Sequence, residues 1–231
     1  MRFFIGIDIG GTFTDCVVLD ADGRIAAIAK SPTRRADPDE GVINAVAVAA
    51  RRMNTTSAAL LGDCRFFVHG CTVATNAMVE RKGVRTALVT TRGHEDAIFI
   101  GKASQKIAGR TEREMNHQSH LDKADPPIVS PGNVYGIAER VDSHGEVVVA
   151  LNGDDVTSTI AALRKEGIGS VAISFLWSFL NSDHERRVRD RITRDLPGTY
   201  VCVSHELAPL IGEYERTATT VANAYVGPKL I

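Results

Sequence analysis

The sequence has no excess of charge of either sign. Its 27 lysines and arginines nearly balance its 28 aspartates and glutamates, which gives a formal net charge of -1 at pH 7. Proteins that bind the phosphate backbone of nucleic acid or an anionic membrane surface usually carry a basic excess. We therefore predict neither nucleic acid nor a membrane as a partner.

Cysteine is scarce and long apolar runs are missing. The four cysteines form no CxxC pair, and most lie far apart, at Cys16, Cys64, Cys71 and Cys202. This usage is typical of free thiols in a reducing compartment. The apolar stretch at residues 3–9 is interrupted by Asp8 and is too short for a signal peptide, and no other run is long enough to span a membrane. These absences predict a cytoplasmic protein.

The first half of the chain has the pattern of an α/β protein, and 44% of all residues are hydrophobic. Apolar runs separated by Gly10-Gly11-Thr12 and Asp22-Gly23 predict an antiparallel meander of three strands, at residues 3–9, 13–19 and 24–29. A helix follows after Asp37-Pro38. The next segments predict a parallel unit made of a buried strand at 66–68, a helix at 72–82 and a strand at 85–90.

The second half repeats a similar order of elements. The pattern fades between residues 101 and 131 and then predicts further strands and helices, including a charged helix at 183–194 that we interpret as a solvated face. We predict three segments: an N-terminal α/β half at 1–125, which contains the glycine turn, a second α/β subdomain at 126–210, and a helix at 211–231. This last helix is expected to lead into a second half that is missing or supplied by a partner.

The turn after the first strand concentrates polar residues and glycine. Asp8 lies in an otherwise apolar strand, where an unpaired carboxylate is costly, and Gly10-Gly11 exposes backbone N–H groups that suit a phosphate. Thr12 and Thr14 can donate to phosphate oxygens, and Asp8 and Asp15 can hold Mg²⁺ or its waters. The alternative is a plain hairpin turn in which the glycines and polar side chains serve structure alone.

Five ordered blocks of the sequence resemble the hydantoinase/oxoprolinase family. "GIDIGGTFTDCVVLD" is similar to the first phosphate motif of the actin, sugar-kinase and Hsp70 ATPase superfamily. The other four are "VHGCTVATNAMVERKGVRTALVTTRGHEDAIFIG", "ERVDSHGEV", "SFLWSFLNSDHERRV" and "SHELAPLIGEYERTATTVANAYVGP". The resemblance implies an actin-like, ribonuclease H-like ATPase subdomain followed by a second small α/β unit.

The resemblance also implies an ATP-dependent enzyme that acts on a carbonyl group. Phosphoryl transfer from ATP to a substrate oxygen would be the shared chemistry. The implied ATP and Mg²⁺ residues are Asp8, Gly10, Gly11, Thr12, Phe13, Thr14 and Asp15, of which Asp8 would hold the metal through water and Asp8 and Asp15 would be catalytic. An acetone- or acetophenone-type ketone carboxylase using bicarbonate is favoured, because "KASQKIAGRTERE" replaces the arginine-proline pair of hydantoin-opening relatives. The alternatives are an ATP-dependent hydantoinase or 5-oxoprolinase and a non-catalytic scaffold subunit.

No second glycine-rich phosphate turn follows in the sequence. We therefore expect a complementary subunit or further segment to complete the ATP cleft, and we expect the isolated chain to bind ATP weakly. Candidate substrate residues are Thr72, Thr75, Asn76 and, through its place in "GEYERT", Arg216. Capping of the helix by threonine is the plainer interpretation of the first two.

Three weaker groups have mainly structural interpretations. His69 and Cys71 flank Gly70 at the end of a strand, where a hydrogen-bonded histidine is commoner than a metal ligand or nucleophile. His117, His120 and Asp122 have the types of metal ligands, but solvated histidines in a polar loop are the favoured interpretation. Glu213 and Glu215 fit a charged helix face.

Overall fold

The computed structural model describes residues 2–34, 37–102, 109, 111–118 and 127–230. Contacts between residues divide the chain into two compact units, which we call the N-terminal unit (Met1–Lys82) and the C-terminal unit (Gly83–Lys229). The domain boundary predicted at 125/126 lies between two residues outside the described ranges and stays a prediction. Within the described ranges, no helix combines the length and the apolar character needed to cross a membrane.

The elements alternate between strands and helices along most of the chain. The strands are β1 (Phe3–Ile9), β2 (Phe13–Leu19), β3 (Ile25–Pro32), β4 (Cys64–Cys71), β5 (Thr86–Thr91), β6 (Val134–Ile137), β7 (Arg140–Val141), β8 (Val147–Val149), β9 (Ser170–Ser174) and β10 (Tyr200–Val203). The α-helices are α1 (Pro38–Arg52), α2 (Ser57–Gly62), α3 (Val73–Val79), α4 (Ala97–Ile100), α5 (Glu112–Gln118), α6 (Gly153–Lys165), α7 (Asp183–Asp195), α8 (Ser204–Leu207) and α9 (Glu213–Val226).

The N-terminal unit is a four-stranded sheet covered on one face by α1. The strand order is β3-β2-β1-β4, with β1, β2 and β3 antiparallel and β4 parallel to β1, so the predicted meander is confirmed. Successive side chains of a strand point to opposite faces, and one face packs on the alanine-rich helix. This core contains Ile5, Ile7, Cys16, Val18, Ala27, Ala29, Ala45, Val46, Ala49 and Ala50.

The predicted environment of β4 is wrong in two respects. Residues 65–71 are all exposed, including Phe66, Phe67 and Val68, and β5 belongs to a different sheet from β4. A short apolar triplet looks like a buried strand in the sequence, but burial depends on what covers it. Among the described residues β4 is an edge strand, so its run of apolar side chains does not mark a core.

The C-terminal unit is a parallel sheet with helices on both faces. The strand order is β10-β9-β5-β6. Alternate residues of β5 show the two layers: Ala87 and Val89 belong to the core that includes α6 and α7, and Leu88 belongs to the core that includes α9. β5 and β9 are buried along their whole length. The loops that follow their carboxyl ends carry polar side chains that are described below.

Candidate functional site

Four residues form a row across one face of the N-terminal sheet. Asp8 is paired with Asp15 in the β1–β2 register and with Gly70 in the β1–β4 register, and Asp15 is paired with Lys30 of β3. Paired residues point to the same face, here the face opposite the α1 core. The Lys30 ammonium lies 3.2 Å from an Asp15 carboxylate oxygen. Asp8 is exposed, so this row presents two carboxylates and one ammonium.

This row can accept a cation between its two acids. Like charges directly opposite each other in a sheet are destabilising, and Lys30 balances only one of the two carboxylates. The described residues contain no cluster of three or more metal-binding side chains. Mg²⁺ keeps most of its waters and binds nucleotides through one or two carboxylates plus phosphate oxygens. The Asp8 and Asp15 carboxylates therefore fit such an ion together with a polyphosphate.

The two glycines of the turn differ in their surroundings. A Cβ on Gly10 would lie 2.9 Å from the Phe13 carbonyl oxygen, to which the Gly10 N–H donates a hydrogen bond at 3.0 Å. No atom lies within 4 Å of a Cβ built on Gly11. Neither glycine is among the described residues with positive φ, so a left-handed backbone is not the reason for glycine at either position. Gly10 is required by the tight turn, whereas nothing within the described chain requires Gly11.

The remaining turn residues do not all lie on the open side. Thr12 and Phe13 are exposed, and the Lys30 ammonium lies 5.0 Å from the centre of the Phe13 ring. Thr14 is completely buried, and its hydroxyl lies 2.8 Å from the Thr33 hydroxyl. Because side chains alternate along β2, Thr14 points toward the α1 side. The structure thus gives no geometric support to a direct phosphate contact by Thr14.

The end of β4 brings Thr72 beside the glycine turn. Ile9 and Cys71 are register partners, and the Thr72 N–H donates to the Ile9 carbonyl oxygen at 3.1 Å. The Thr72 hydroxyl makes no capping hydrogen bond to α3 and lies 3.9 Å from the position of a Cβ on Gly10. The predicted capping role of Thr72 is therefore not observed. The other two candidates of this helix, Thr75 and Asn76, are exposed.

Arg216 belongs to the C-terminal unit and lines a cavity of about 780 Å³ there. Only 2% of this residue is exposed. One of its terminal nitrogens donates to the Phe175 carbonyl oxygen, and the guanidinium lies 5.1 Å from the centre of the Phe179 ring. Burial lowers the pKa of Arg216 below its usual value, and the nearby Glu185 and Glu213 charges oppose this shift.

The interpretation of α7 as a wholly solvated face is wrong. Glu185 is completely buried and His184 nearly so. The Glu185 carboxylate accepts hydrogen bonds from the Phe175 and His205 N–H groups, the Ser204 hydroxyl and His205 Nδ1. The sequence signal was weak, since the two residues occupy adjacent positions in a run that is otherwise charged and exposed.

A second buried carboxylate, that of Glu139, supports the loop that follows β9. Glu139 Oε2 lies 2.8 Å from His184 Nδ1, and Glu139 Oε1 accepts a hydrogen bond from the Thr91 hydroxyl. The Thr91 oxygen in turn accepts from the Leu176 N–H at 3.1 Å. The backbone just after β9 is thus held by polar side chains from several elements. This network could not be read from the sequence because its members are far apart along the chain.

The weaker candidates divide between exposed and undescribed positions. His69 and Cys71 are exposed on β4. The side chain of His117 and all of His120 and Asp122 lie outside the described residues. Glu213 and Glu215 both line the cavity that Arg216 lines, and Glu215 forms an ion pair with Lys102.

Comparisons with known proteins agree over nearly the whole chain. The model of the hydantoinase/oxoprolinase N-terminal region matches residues 4–196. The acetophenone carboxylase gamma subunit of Aromatoleum aromaticum is 38% identical over 227 residues, which cover 96% of this chain and 31% of that protein. The caprolactamase subunit alpha of Pseudomonas jessenii is 35% identical, with 98% of this chain and 32% of that protein covered.

A solved structure has the same fold. A nucleotide-free structure of acetone carboxylase superposes with a TM-score of 0.84 at 28% identity, covering 99% of this chain and 33% of that chain. This match confirms the predicted fold class, an α/β protein of the actin-like ATPase type. The chain spans about a third of the length of these relatives. Its matches to the family model and to the relatives show that it belongs to the hydantoinase/oxoprolinase family, of which it carries the N-terminal region.

Proposed function

We propose that the chain is part of an ATP-dependent enzyme that activates a carbonyl oxygen by phosphoryl transfer, with a ketone and bicarbonate as substrates. The relative with 38% identity is an acetophenone carboxylase subunit, and an acetone carboxylase shares the fold. The ketone would lose a proton from the carbon next to its carbonyl group to solvent, and transfer of the terminal phosphoryl group of ATP to the resulting enolate oxygen would leave ADP and an enol phosphate.

The observation that carries this proposal is the open turn after β1. No atom lies within 4 Å of the position that a Cβ on Gly11 would take, so the backbone of this turn is accessible to an anion beside the exposed Asp8. Phosphate-binding turns need such access because the backbone must approach the anion closely. The adjacent row of Asp8 and Asp15 supports the same role.

Each side chain of the row has a separate task in this proposal. Asp8 is exposed and free to hold Mg²⁺ through water. Asp15 sits next to the Lys30 ammonium, which would hold that carboxylate in place and add positive charge beside the phosphates. Thr12 would donate its hydroxyl from the open side of the turn. The groups would position the polyphosphate, which is most of what phosphoryl transfer asks of a protein.

Opening of a cyclic amide is the second candidate. The caprolactamase subunit alpha is 35% identical to this chain, and a 5-oxoprolinase of Saccharomyces cerevisiae is 32% identical. The same activation of a carbonyl oxygen would serve a lactam. A scaffold role is less well supported, because a scaffold has no need for an exposed carboxylate, Asp8, facing a second carboxylate, Asp15.

We further propose that the nucleotide cleft needs a complementary part. The chain spans about a third of its relatives, several of which are named as subunits. The glycine turn carries the exposed residues Asp8 and Thr12, so in this proposal the second wall of the cleft would come from another segment or subunit. The free thiols of all four cysteines support the prediction of a reducing compartment such as the cytoplasm.

The test replaces Asp8 in the assembled enzyme that contains this chain. Asp8→Asn is expected to lower substrate-dependent ADP release about 10- to 100-fold, as the loss of a water-mediated metal partner usually does. Asp20→Asn makes the same chemical change in the β2–β3 turn and should leave the rate unchanged. Acetophenone with bicarbonate and ε-caprolactam are compared as substrates. Full turnover by Asp8→Asn would refute the role of the turn, and turnover on the lactam alone would select the second candidate.

A further inference from the structure

The cavity in the C-terminal unit lies where parallel strands commonly present a ligand site. It is lined by residues that follow the carboxyl ends of β5 and β9 and by the first turn of α9. Open α/β sheets bind ligands at this edge. The volume of about 780 Å³ is within the range of small-molecule sites. Its apolar walls include Trp177, Phe179 and Tyr214.

A buried cation at the wall of this cavity lacks one hydrogen-bond partner. Among the residues that the structure describes, no group accepts a hydrogen bond from Nε of Arg216. A second, small cavity of about 10 Å³ shares Arg216, His94 and Leu176 with the large one. A buried donor without an acceptor is costly, so an oxygen atom of a ligand would fit this position.

The wall that carries Trp177 is strained and firmly held. Trp177 has φ of 56°, a left-handed conformation that costs free energy for a residue with a side chain. The two preceding N–H groups, of Phe175 and Leu176, are bound by Glu185 and by Thr91. Arg216 itself holds the Phe175 carbonyl oxygen. Strain that surrounding hydrogen bonds maintain is typical of pre-organised sites.

The charges around the cavity favour a neutral ligand over a polyanion. Among the described residues, the charged side chains that line the cavity are three basic and three acidic ones: Lys102, Arg140, Arg216, Asp96, Glu213 and Glu215. Of these, Lys102 and Glu215 form an ion pair. A phosphate or nucleotide site would instead show an excess of positive charge. A compound with an apolar body and one hydrogen-bond acceptor suits both the aromatic walls and the unpaired donor.

We infer that this cavity binds a small neutral carbonyl compound, a ketone or a lactam, with its body against Trp177 and Phe179 and its oxygen accepting a hydrogen bond from Arg216. The inference rests on the proposed function for the choice of a carbonyl substrate. It assigns the substrate to the C-terminal unit, where Arg216 would be a binding residue that orients the carbonyl group.

The tryptophan in this wall gives a direct measurement. Trp177 is the sole tryptophan of the 231-residue chain, so its indole N–H gives a single side-chain signal in a nitrogen-15 NMR spectrum. Cyclohexanone is expected to shift this signal in a saturable way. Methylenecyclohexane, in which a CH₂ group replaces the oxygen, should bind at least about tenfold more weakly because Arg216 is then left unpaired. Titration with bicarbonate or phosphate should not produce the shift.

Two matched variants test the location. Ala97 lines both the large cavity and the small one beside Arg216, so Ala97→Leu should block the approach to Arg216 and abolish the cyclohexanone shift. Ala161→Leu makes the same change at an exposed position of α6 and should leave binding intact. Arg216→Lys keeps the charge but not the Nε donor and is expected to weaken binding about tenfold, with the backbone spectrum reporting whether the fold survives.

The outcomes separate this inference from the proposed function. The titration contains no nucleotide, so its result does not depend on the glycine turn. Three results would overturn the inference: a cyclohexanone shift that persists in Ala97→Leu, equal binding of methylenecyclohexane, or a shift with phosphate. The absence of any shift with both cyclohexanone and ε-caprolactam would also overturn it. Failure of the Asp8→Asn test would refute the role of the turn and leave the carbonyl site standing.

Discussion

The carboxylate of Glu185, which is completely buried, accepts a hydrogen bond from Nδ1 of His205 at 2.6 Å. That bond is to Oε2, and the other oxygen, Oε1, accepts from the Ser204 hydroxyl at 2.7 Å and from the Phe175 N–H at 2.9 Å. One side chain of α7 thus joins the start of α8 to the backbone after β9. A buried carboxylate is tolerated only when its oxygens are satisfied in this way.

Replacing Glu185 by glutamine should destabilise the C-terminal unit strongly. The amide group offers a donor where the carboxylate oxygen accepted, so buried donors of His205 would be left unpaired. We expect a loss of about 3 kcal/mol in the free energy of unfolding, measured by urea denaturation. Glu206→Gln is the control: Glu206 is half-exposed and pairs with Arg189 at 2.7 Å, and such a pair contributes about 0–1 kcal/mol. Equal effects of the two substitutions would contradict this reading of Glu185.

Asp155 should make stability depend on pH in the acid range. Hydrogen bonding from the Ala138 N–H, and next the Arg92 guanidinium, hold the pKa of the Asp155 carboxyl below its ordinary value of 3.8. A lowered folded-state pKa adds stability above the unfolded pKa, and this contribution is lost as pH falls through the folded pKa.

The measurement compares wild-type protein with Asp155→Asn. Asparagine can still accept from the Ala138 N–H but does not titrate. The difference in free energy of unfolding between the two proteins should therefore be constant from pH 5 to pH 7, which is about one unit or more above the ordinary pKa of aspartate. It should shrink below pH 4. A difference that stays constant down to pH 3 would show that Asp155 titrates normally.

The local elements and the pairing of neighbouring strands were predictable from the sequence, whereas pairing between distant segments was not. The meander β1–β3 follows from short apolar runs and from the turn residues between them, and α1 begins after Asp37, whose side chain accepts from the Glu40 N–H as the capping pattern predicts. The placement of β5 beside β9 and β6 depends on contacts between distant segments, which a local pattern does not contain.

The candidate site shows the same division. The glycine turn was visible because its special residues are contiguous. Lys30 was missed because only the β2–β3 register brings it beside Asp15. Glu185 was misread because a charged run usually faces solvent, and its burial depends on Ser204 and His205 arriving from a later part of the chain.

The four thiols should differ widely in reactivity. Cys71 is exposed and Cys64 half-buried, whereas Cys16 and Cys202 are buried. Burial raises the pKa of both Cys16 and Cys202 to about 11. Since the thiolate is the reactive form, iodoacetamide should modify Cys71 first and Cys64 next, and should leave the other two unmodified. Peptide mass spectrometry gives the order, and labelling in denaturant should modify all four. Early modification of Cys202 would contradict the packing of α9 on the sheet.

The two turn glycines should respond differently to alanine. In Gly10→Ala the new Cβ would meet the Phe13 carbonyl oxygen at 2.9 Å, and the backbone must shift, at a cost of about 1–3 kcal/mol in the free energy of unfolding. Gly11→Ala meets no atom within 4 Å and should change that free energy by less than about 0.5 kcal/mol. Urea denaturation of both variants checks this part.

Gly11→Ala should nevertheless impair the nucleotide site. Its methyl group would stand where the backbone has to approach a phosphate, and the loss of one charge-assisted hydrogen bond corresponds to about a tenfold or greater loss of MgATP affinity in the assembled enzyme. The control is Ala21→Gly, which alters the exposed β2–β3 turn without adding a side chain. Gly23→Ala is unsuitable because Gly23 has φ of 78°, a conformation in which alanine would be strained. Because a folded Gly11→Ala enzyme keeps every contact of the described turn, normal MgATP affinity in it would mean that the open space beside Gly11 is not used by nucleotide.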